Sequence, residues 1–566
     1  MTGLWVAGAA AGAAFGAHRT VRRLQLSLAK HPSLAGHVRW SKRFARLLGR
    51  LDYDAPEFFG VDGAPAEIVA RRQQAFDTLM HTLRAQTAGS AALAAEAGAR
   101  LSDMQLTSRY RVPPPFSRYV RERLPAAPFV VAAHGGALTT VDGTEMIDLA
   151  GSYGVTLFGA PFYAECIREG SAAVASLGPV LGTYHPVVAE NVRRLCDISG
   201  MDEVSFHMSG TEAVMQAVRL ARYHTGRSHI VQFCGAYHGW WDDVQPGVGN
   251  PSPPGDVYVL RELSDATLRV LATRSDIACV LVNPLQALHP NRSAPSDGTL
   301  LANERTAGVD RAAYTAWLER LREVCTARGI ALIFDEVFLG FRLARGGAQE
   351  YFGVRADLVT YGKTVAGGLP IGVVCGRRRW MRRFREDRPS DICFARGTFN
   401  AHPYVMGAMR EFLRRLDDDR DGAPPALRHH YAGVERRWTE RIAALNAALA
   451  ARSLPVRLVH LVSVATVLYD VPSRYNWMLQ YYLRREGLLL SWVGTGRLIF
   501  SHATTDAEWQ RIMERWIAAS EAMRADGWWW TAPGATTREV RRAAMRDLLR
   551  ATWRTWLRPA RRPGPR

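Results

Sequence analysis

One lysine stands alone among strong turn signals: Lys363, in DLVTYGKTVAGGLPIG. The chain has 72 basic side chains, of which only Lys30, Lys42 and Lys363 are lysines. A guanidinium does not deprotonate near neutrality, so an amine for covalent chemistry with a carbonyl has to come from lysine. Lys30 and Lys42 lie in a basic N-terminal stretch where a plain charge suffices. Lys363 is flanked by Gly362, Gly367 and Gly368, which permit a tight turn and close approach of a ligand. Further upstream, IALIFDEV ends in Asp335-Glu336. A carboxylate at the end of a buried strand needs a partner, either an arginine or a protonated ring nitrogen. Ser209-Gly210-Thr211 follows the strand-like VSFHM and opens a helix. Free N–H groups, a hydroxyl and the helix dipole there suit a phosphate, although Ser and Thr are also ordinary N-caps. Tyr237 and His238, in GAYHGWW, fall at the carboxyl end of another strand, where open sheets bind ligands. An amine, a carboxylate, an aromatic and a phosphate seat are the protein's share of a pyridoxal phosphate site. The cofactor supplies the electron sink.

The elements that position these groups alternate. Apolar runs at 204–208, 229–234, 278–283, 330–336 and 357–361 read as strands, with helices such as 211–223 and 311–328 between them. This predicts an α/β fold with a mostly parallel sheet covered by helices on both faces. Residues 401–530 read as mixed α/β material in a smaller unit. Residues 64–99 have helical spacing, and RVPPPFS at 111–117 breaks the pattern before the main body. The expected division is a basic helical extension over 1–104, an N-terminal part of the catalytic fold over 105–165, a large cofactor-binding domain over 166–405, a small domain over 406–530 and a basic amphipathic tail over 531–566.

The sequence resembles the class III aminotransferases of pyridoxal phosphate fold type I, most of all the branch that includes glutamate-1-semialdehyde 2,1-aminomutase. The resemblance spans about 105–525 and is carried by DLAGSYG (148–154), MSGTEAVMQAVRLARYHTG (208–226), GAYHGWW (235–241), LIFDEVFLGFR (332–342), TYGKTVAGGLPIGVVCG (360–376) and ARGTFNAHP (395–403). It implies that Lys363 is the Schiff-base lysine and that Asp335 holds the pyridine nitrogen. Tyr237 would stack on the ring, with His238 beside it, and Ser209, Gly210 and Thr211 would bind the phosphate. Gln286 matches a glutamine often found near the cofactor, and Tyr153 would line the substrate pocket. Thr398 would reach the phosphate of the neighbouring subunit across a homodimer. Many relatives have Glu-Pro where this chain has Asn283-Pro284. For the arginine that would read a substrate carboxylate, Arg109, Arg111, Arg118 and Arg497 are equal candidates. The implied activity is transfer of an amino group from a small-molecule donor to a carbonyl acceptor. An intramolecular aminomutase and a decarboxylating or condensing enzyme are the alternatives. A catalytically dead tethered scaffold is a further reading, disfavoured by the intact Lys363 and Asp335.

Composition bounds the partners. The 566 residues are 48% hydrophobic and 22% charged, which is ordinary globular usage. Seven scattered cysteines without CxxC spacing fit a reducing compartment and no structural zinc. The net charge of +19 is concentrated at the ends: residues 1–50 hold nine Lys/Arg and no acid, and 538–566 hold ten Arg against Glu539 and Asp547. The body between is nearly neutral, which argues against a nucleic-acid binder. Basic ends point to an anionic membrane surface. The apolar stretch 3–17 is too short to span a bilayer and reads either as a membrane-associating segment or as a buried or frayed Ala/Gly helix. In the tail, Met545, Leu548, Leu549, Thr552, Trp553 and Trp556 share one helical face, with Arg546, Arg550, Arg554 and Arg558 on the other side. The expected location is therefore cytoplasmic, free or held at the inner membrane face. A packed helix with a solvated Arg face is the competing reading of the tail.

Overall fold

The structure, a computed structural model, describes residues 2–110, 112–125, 128–253, 255–288, 308–417, 430–490 and 497–557. Its centre is a seven-stranded sheet. In chain order the strands are β1 (Glu203–His207), β2 (His229–Phe233), β3 (Val257–Leu260), β4 (Ile277–Val282), β5 (Ala331–Asp335), β6 (Leu358–Gly362) and β7 (Gly372–Gly376). Their spatial order is β1-β7-β6-β5-β4-β2-β3. The pairs among β2 to β6 are parallel; β7 runs antiparallel to both β1 and β6. The five strands expected from the sequence are present. The short β3 and the glycine-bounded β7 are additions. Every residue of β4, β5 and β6 is buried, as continuous apolar strands between two helical layers should be.

Two terminal helices lead into the body, α1 (Thr2–Ala29) and α2 (Val38–Leu47). The helices used below are α3 (Gly210–Thr225), α4 (Asp265–Thr273), α5 (Arg311–Arg328) and α6 (Thr537–Leu557). The single helical stretch expected over 64–99 is two helices, Ala66–Gln86 and Ala88–Gly98, broken at Thr87, whose backbone is non-helical (φ −137°, ψ 33°). The prolines of RVPPPFS do not only interrupt: they occupy the first turn of Pro114–Arg123, where a missing N–H costs nothing.

The C-terminal part adds a three-stranded antiparallel sheet, Val456–Leu461, Val464–Tyr469 and Arg497–Ile499. The strand Leu488–Leu489 pairs in parallel with Glu145–Asp148, so residues from both sides of the central sheet build one flank. No helix among the described residues is long and apolar enough to cross a membrane. α1 instead extends past the apolar stretch and leans on α4, where Arg22 Nη2 donates to Thr273 O at 2.8 Å.

Candidate active site

The functional groups gather at the carboxyl ends of β2, β5 and β6. Asp335 is the last residue of β5 and is buried. His238 Nδ1 lies 2.7 Å from Asp335 Oδ2; a carboxylate only accepts, so the imidazole donates. Asp335 Oδ1 accepts from Val337 N at 3.2 Å and from Thr360 Oγ1 at 3.3 Å. The carboxylate is thus held in one orientation from three elements. His238 is itself buried.

Lys363 follows β6 directly and is partly buried, with φ +51°, in the left-handed region. A non-glycine residue there carries strain that the surroundings must impose. Tyr153 (φ +59°) and Phe341 (φ +64°) share this feature. Burial lowers the Lys363 pKa, and the nearby Arg342 cation lowers it further while Asp335 opposes. Its Nζ lies 5.9 Å from the Phe338 ring centroid.

The 209–211 loop is pressed against these groups by glycines. A Cβ on Gly372 would meet Ser209 O at 1.9 Å, and one on Gly210 would meet Val337 Cγ1 at 2.5 Å. A Cβ on Gly362, the residue before Lys363, would lie 3.7 Å from Gly210 Cα. Only glycine allows the backbones this close. Ser209 caps α3 by accepting from Glu212 N at 3.2 Å, and Glu212 Oε2 accepts from Met208 N at 2.9 Å. Thr211 is buried against the backbone of Gly239, so the phosphate seat adjoins the loop of Tyr237 and His238.

Tyr237 is half-exposed, and burial together with the charge of Asp335 raises its pKa. Asn283 Nδ2 donates to Tyr237 O at 3.2 Å, a bond that a carboxylate cannot make. Gln286 spends its Nε2 on Cys234 O at 3.1 Å, at the end of β2. The turn of Tyr153 packs on Phe338: a Cβ on Gly154 would meet Phe338 Cε2 at 2.5 Å. Thr398 lies on an exposed turn, and among the described residues no hydrogen bond joins it to the groups above.

Of the four arginines weighed as carboxylate readers, Arg118 is exposed and 3.9 Å from Glu122, and Arg109 and Arg111 fall outside the described side chains. Arg497 is different. Burial lowers its pKa, and its Nε is buried without a hydrogen-bond partner among the described residues. It lies on the strand whose Ile499 packs against Gly151, two residues before Tyr153.

Arg342 was not singled out by the sequence reading. It is fully buried and donates to Ser463 Oγ (2.8 Å), Phe500 O (3.0 Å) and Gly154 O (3.3 Å). With no carboxylate among these partners, burial pushes its pKa down to about 10. Its place in the FLGFR segment was a signal, masked by the abundance of arginine elsewhere.

The residues present fit pyridoxal phosphate on structural grounds. A buried carboxylate is fixed by a histidine, an amine of lowered pKa stands near it, and a glycine-built anion seat at a helix N-terminus adjoins both. Fold and site together define a fold type I enzyme of amino-group chemistry.

Comparisons with known proteins agree. The class III aminotransferase family model matches residues 119–244 and 305–519, and the chain belongs to that family. A glutamate-1-semialdehyde 2,1-aminomutase of Nitratidesulfovibrio vulgaris (strain DP4) is 36% identical over 350 residues, 60% of this chain and 77% of that protein. The corresponding enzyme of strain DSM 19637 / Miyazaki F is 34% identical over 408 residues, 68% and 90% of the two chains. Among solved structures, a transaminase with PLP bound is 27% identical, covers 75% of this chain and 98% of its own, and has a TM-score of 0.60. A glutamate-1-semialdehyde aminomutase of Pseudomonas aeruginosa PAO1, 20% identical with a TM-score of 0.64, shares the fold over 81% of this chain and 99% of its own. The chain is a pyridoxal-phosphate-dependent enzyme of amino-group transfer, of the transaminase or aminomutase kind.

Proposed function

We propose that the protein transfers an amino group between separate amine and carbonyl substrates, with Lys363 as the point of cofactor attachment. The supporting observation is the juxtaposition of Lys363, the Asp335–His238 pair and the glycine-packed 209–211 loop at one end of the sheet. Bound pyridoxal phosphate supplies an electron sink. Asp335, oriented by His238, favours a proton on the pyridine nitrogen by charge. Backbone N–H groups of Gly210 and Thr211, with the Ser209 hydroxyl, hold the phosphate at the α3 N-terminus. Tyr237 covers one face of the ring. The Lys363 amine, biased toward neutrality, takes a proton from the substrate carbon next to nitrogen and returns it elsewhere. Arg497, beside the Tyr153 turn, reads an acidic group of one substrate. In a homodimer, Thr398 adds a donor to the neighbouring subunit's phosphate seat. The two basic ends face an anionic membrane surface, and a hydrophobic or carrier-bound carbonyl acceptor suits that placement.

The test is spectroscopic. Purified protein with added pyridoxal phosphate shows visible cofactor absorbance that changes when a suitable amine donor is added without acceptor. Lys363→Ala loses the visible band and lowers transfer by about three orders of magnitude or more. An unchanged band in Lys363→Ala overturns the assignment. Similarity to aminomutases favours intramolecular transfer as a second reading. Conversion of glutamate 1-semialdehyde with no added donor or acceptor would establish it in place of the first.

A further inference from the structure

The two chain ends lie outside the catalytic core, yet they meet. Gly49, two residues beyond α2, donates its N–H to Thr552 Oγ1 of α6 at 2.9 Å. A Cβ on Gly49 would sit 2.8 Å from Thr552 Cα and 2.7 Å from Thr555 Oγ1. A second clasp lies beside the first. Asp547 of α6 accepts from the body residue Arg474 (Nη1, 2.9 Å) and from Tyr53 OH of the N-terminal extension (3.2 Å), and Arg474 also bonds Tyr53 OH. The packed side of the tail therefore includes Thr537, Asp547, Leu548 and Thr552.

On each helix a row of large apolar residues stays in solvent. On α2, Trp40, Phe44 and Leu47 recur at i, i+4 and i+7, and none of the ten residues of this helix is buried. Leu48 continues the stripe toward Gly49. On α6, Met545, Leu549, Trp553 and Trp556 recur at i, i+4, i+8 and i+11, with Trp553 63% and Trp556 61% exposed. One amphipathic helix of this kind is unremarkable, but two from opposite chain ends, joined at their C-terminal turns, bring two exposed aromatic-rich rows into one region. Arg39, Arg43 and Arg46 flank the first stripe, and Arg546, Arg550 and Arg554 the second. All six are exposed, and among the described residues none is in an ion pair with a carboxylate.

We infer that α2 and α6 form a single composite surface that seats the enzyme on an anionic lipid bilayer, without crossing it. This rests on the reading of the basic ends given above and assigns it to particular residues in one place. Charge chooses the occupant. A second copy docking on this face through a two-fold axis would set arginines against the same arginines. A headgroup layer carrying phosphates matches all six, and the tryptophans sit where an aromatic belt is favoured.

The test uses the full-length, cofactor-loaded protein and two kinds of vesicle, phosphatidylcholine alone and phosphatidylcholine with a quarter phosphatidylglycerol. The expected result is flotation with the anionic vesicles, weaker by about tenfold with the neutral ones and falling as salt rises. Trp40→Ser with Phe44→Ser, and separately Trp553→Ser with Trp556→Ser, each reduce binding by about tenfold or more. Cofactor absorbance and turnover of soluble donors are read on the same samples and stay at wild-type level. Wild-type-like flotation of both variants overturns the composite surface. Absence of flotation, with sedimentation velocity showing that the variants split a larger oligomer, makes this face a protein interface instead. A missing cofactor band with intact flotation would count against the proposed function alone.

Discussion

Lys363 stands under opposing fields. Asp335 favours its ammonium form, whereas burial and the Arg342 guanidinium disfavour it, and the net result is a lowered pKa. Arg342→Met removes one of the two effects that lower it and leaves Asp335 in place. The lysine pKa then rises, so the acidic limb of the kcat–pH profile moves to higher pH. A limb that stays put or moves to lower pH would show that Arg342 has only a structural role. The sequence exposed Lys363 because lysine is scarce in this chain, and Asp335 because a carboxylate ended an apolar strand. It did not expose the His238–Asp335 pairing, 97 residues apart, since nothing in local spacing says which carboxylate a histidine will meet. Asn283 was visible only as a lost carboxylate. The structure shows what the amide gains, a donor to the carbonyl of Tyr237.

At the scale of elements, the site depends on how closely β7 approaches the loop that opens α3. Gly372 begins β7, and any side chain there is driven into Ser209 O. Gly372→Ala therefore costs about 3 kcal/mol or more, seen as a lower urea midpoint, and weakens cofactor retention in parallel. Gly226→Ala is the control. That glycine closes α3 in the left-handed region (φ +65°) with nothing within 4 Å, so the change costs only about 1 kcal/mol and leaves the cofactor bound. Equal losses at both positions would mean that the 209–211 loop yields to the added methyl and that the close approach at Gly372 does not hold the site. The strands of this sheet were legible where a mainly apolar run stands between helical segments. β3 has only four residues; β7, GVVCG, is as long as β1, β2, β5 and β6, but the glycines that bound it make it read as part of a loop. The antiparallel sense of β7 had no local signature, because direction is set by the connection and not by the strand.

Across the whole molecule, the feature hidden from the sequence is the meeting of the two ends. Charge counting found both, and helical periodicity found the tail's apolar face, including Thr552 as one of its members. The structure moves Thr552 to the buried side, against Gly49, 503 residues away in sequence, a contact no spacing rule reaches. Arg474 is the central member of the clasp, with its side chain 3% exposed; Asp547 is its one ion-paired carboxylate among the described residues, and the partly buried Asp62 also interacts with its charge. Asp547→Ala leaves that guanidinium with Tyr53 OH and a 3.4 Å contact to Val61 O. Breaking a fully buried pair costs about 3–5 kcal/mol. Asp547 is 30% exposed, and solvent screening brings the expected loss to about 1–3 kcal/mol. The loss falls on docking of α6, not on the sheet, so the open population of the tail rises roughly 5–150-fold. Limited trypsin digestion followed by mass spectrometry should then show faster cleavage after Arg546, Arg550 and Arg554, with the cofactor absorbance unchanged. Vesicle binding should fall as well, although no apolar residue of either stripe has been altered. Cleavage and flotation both at wild-type levels would mean that Gly49 and Thr552 alone hold the ends together.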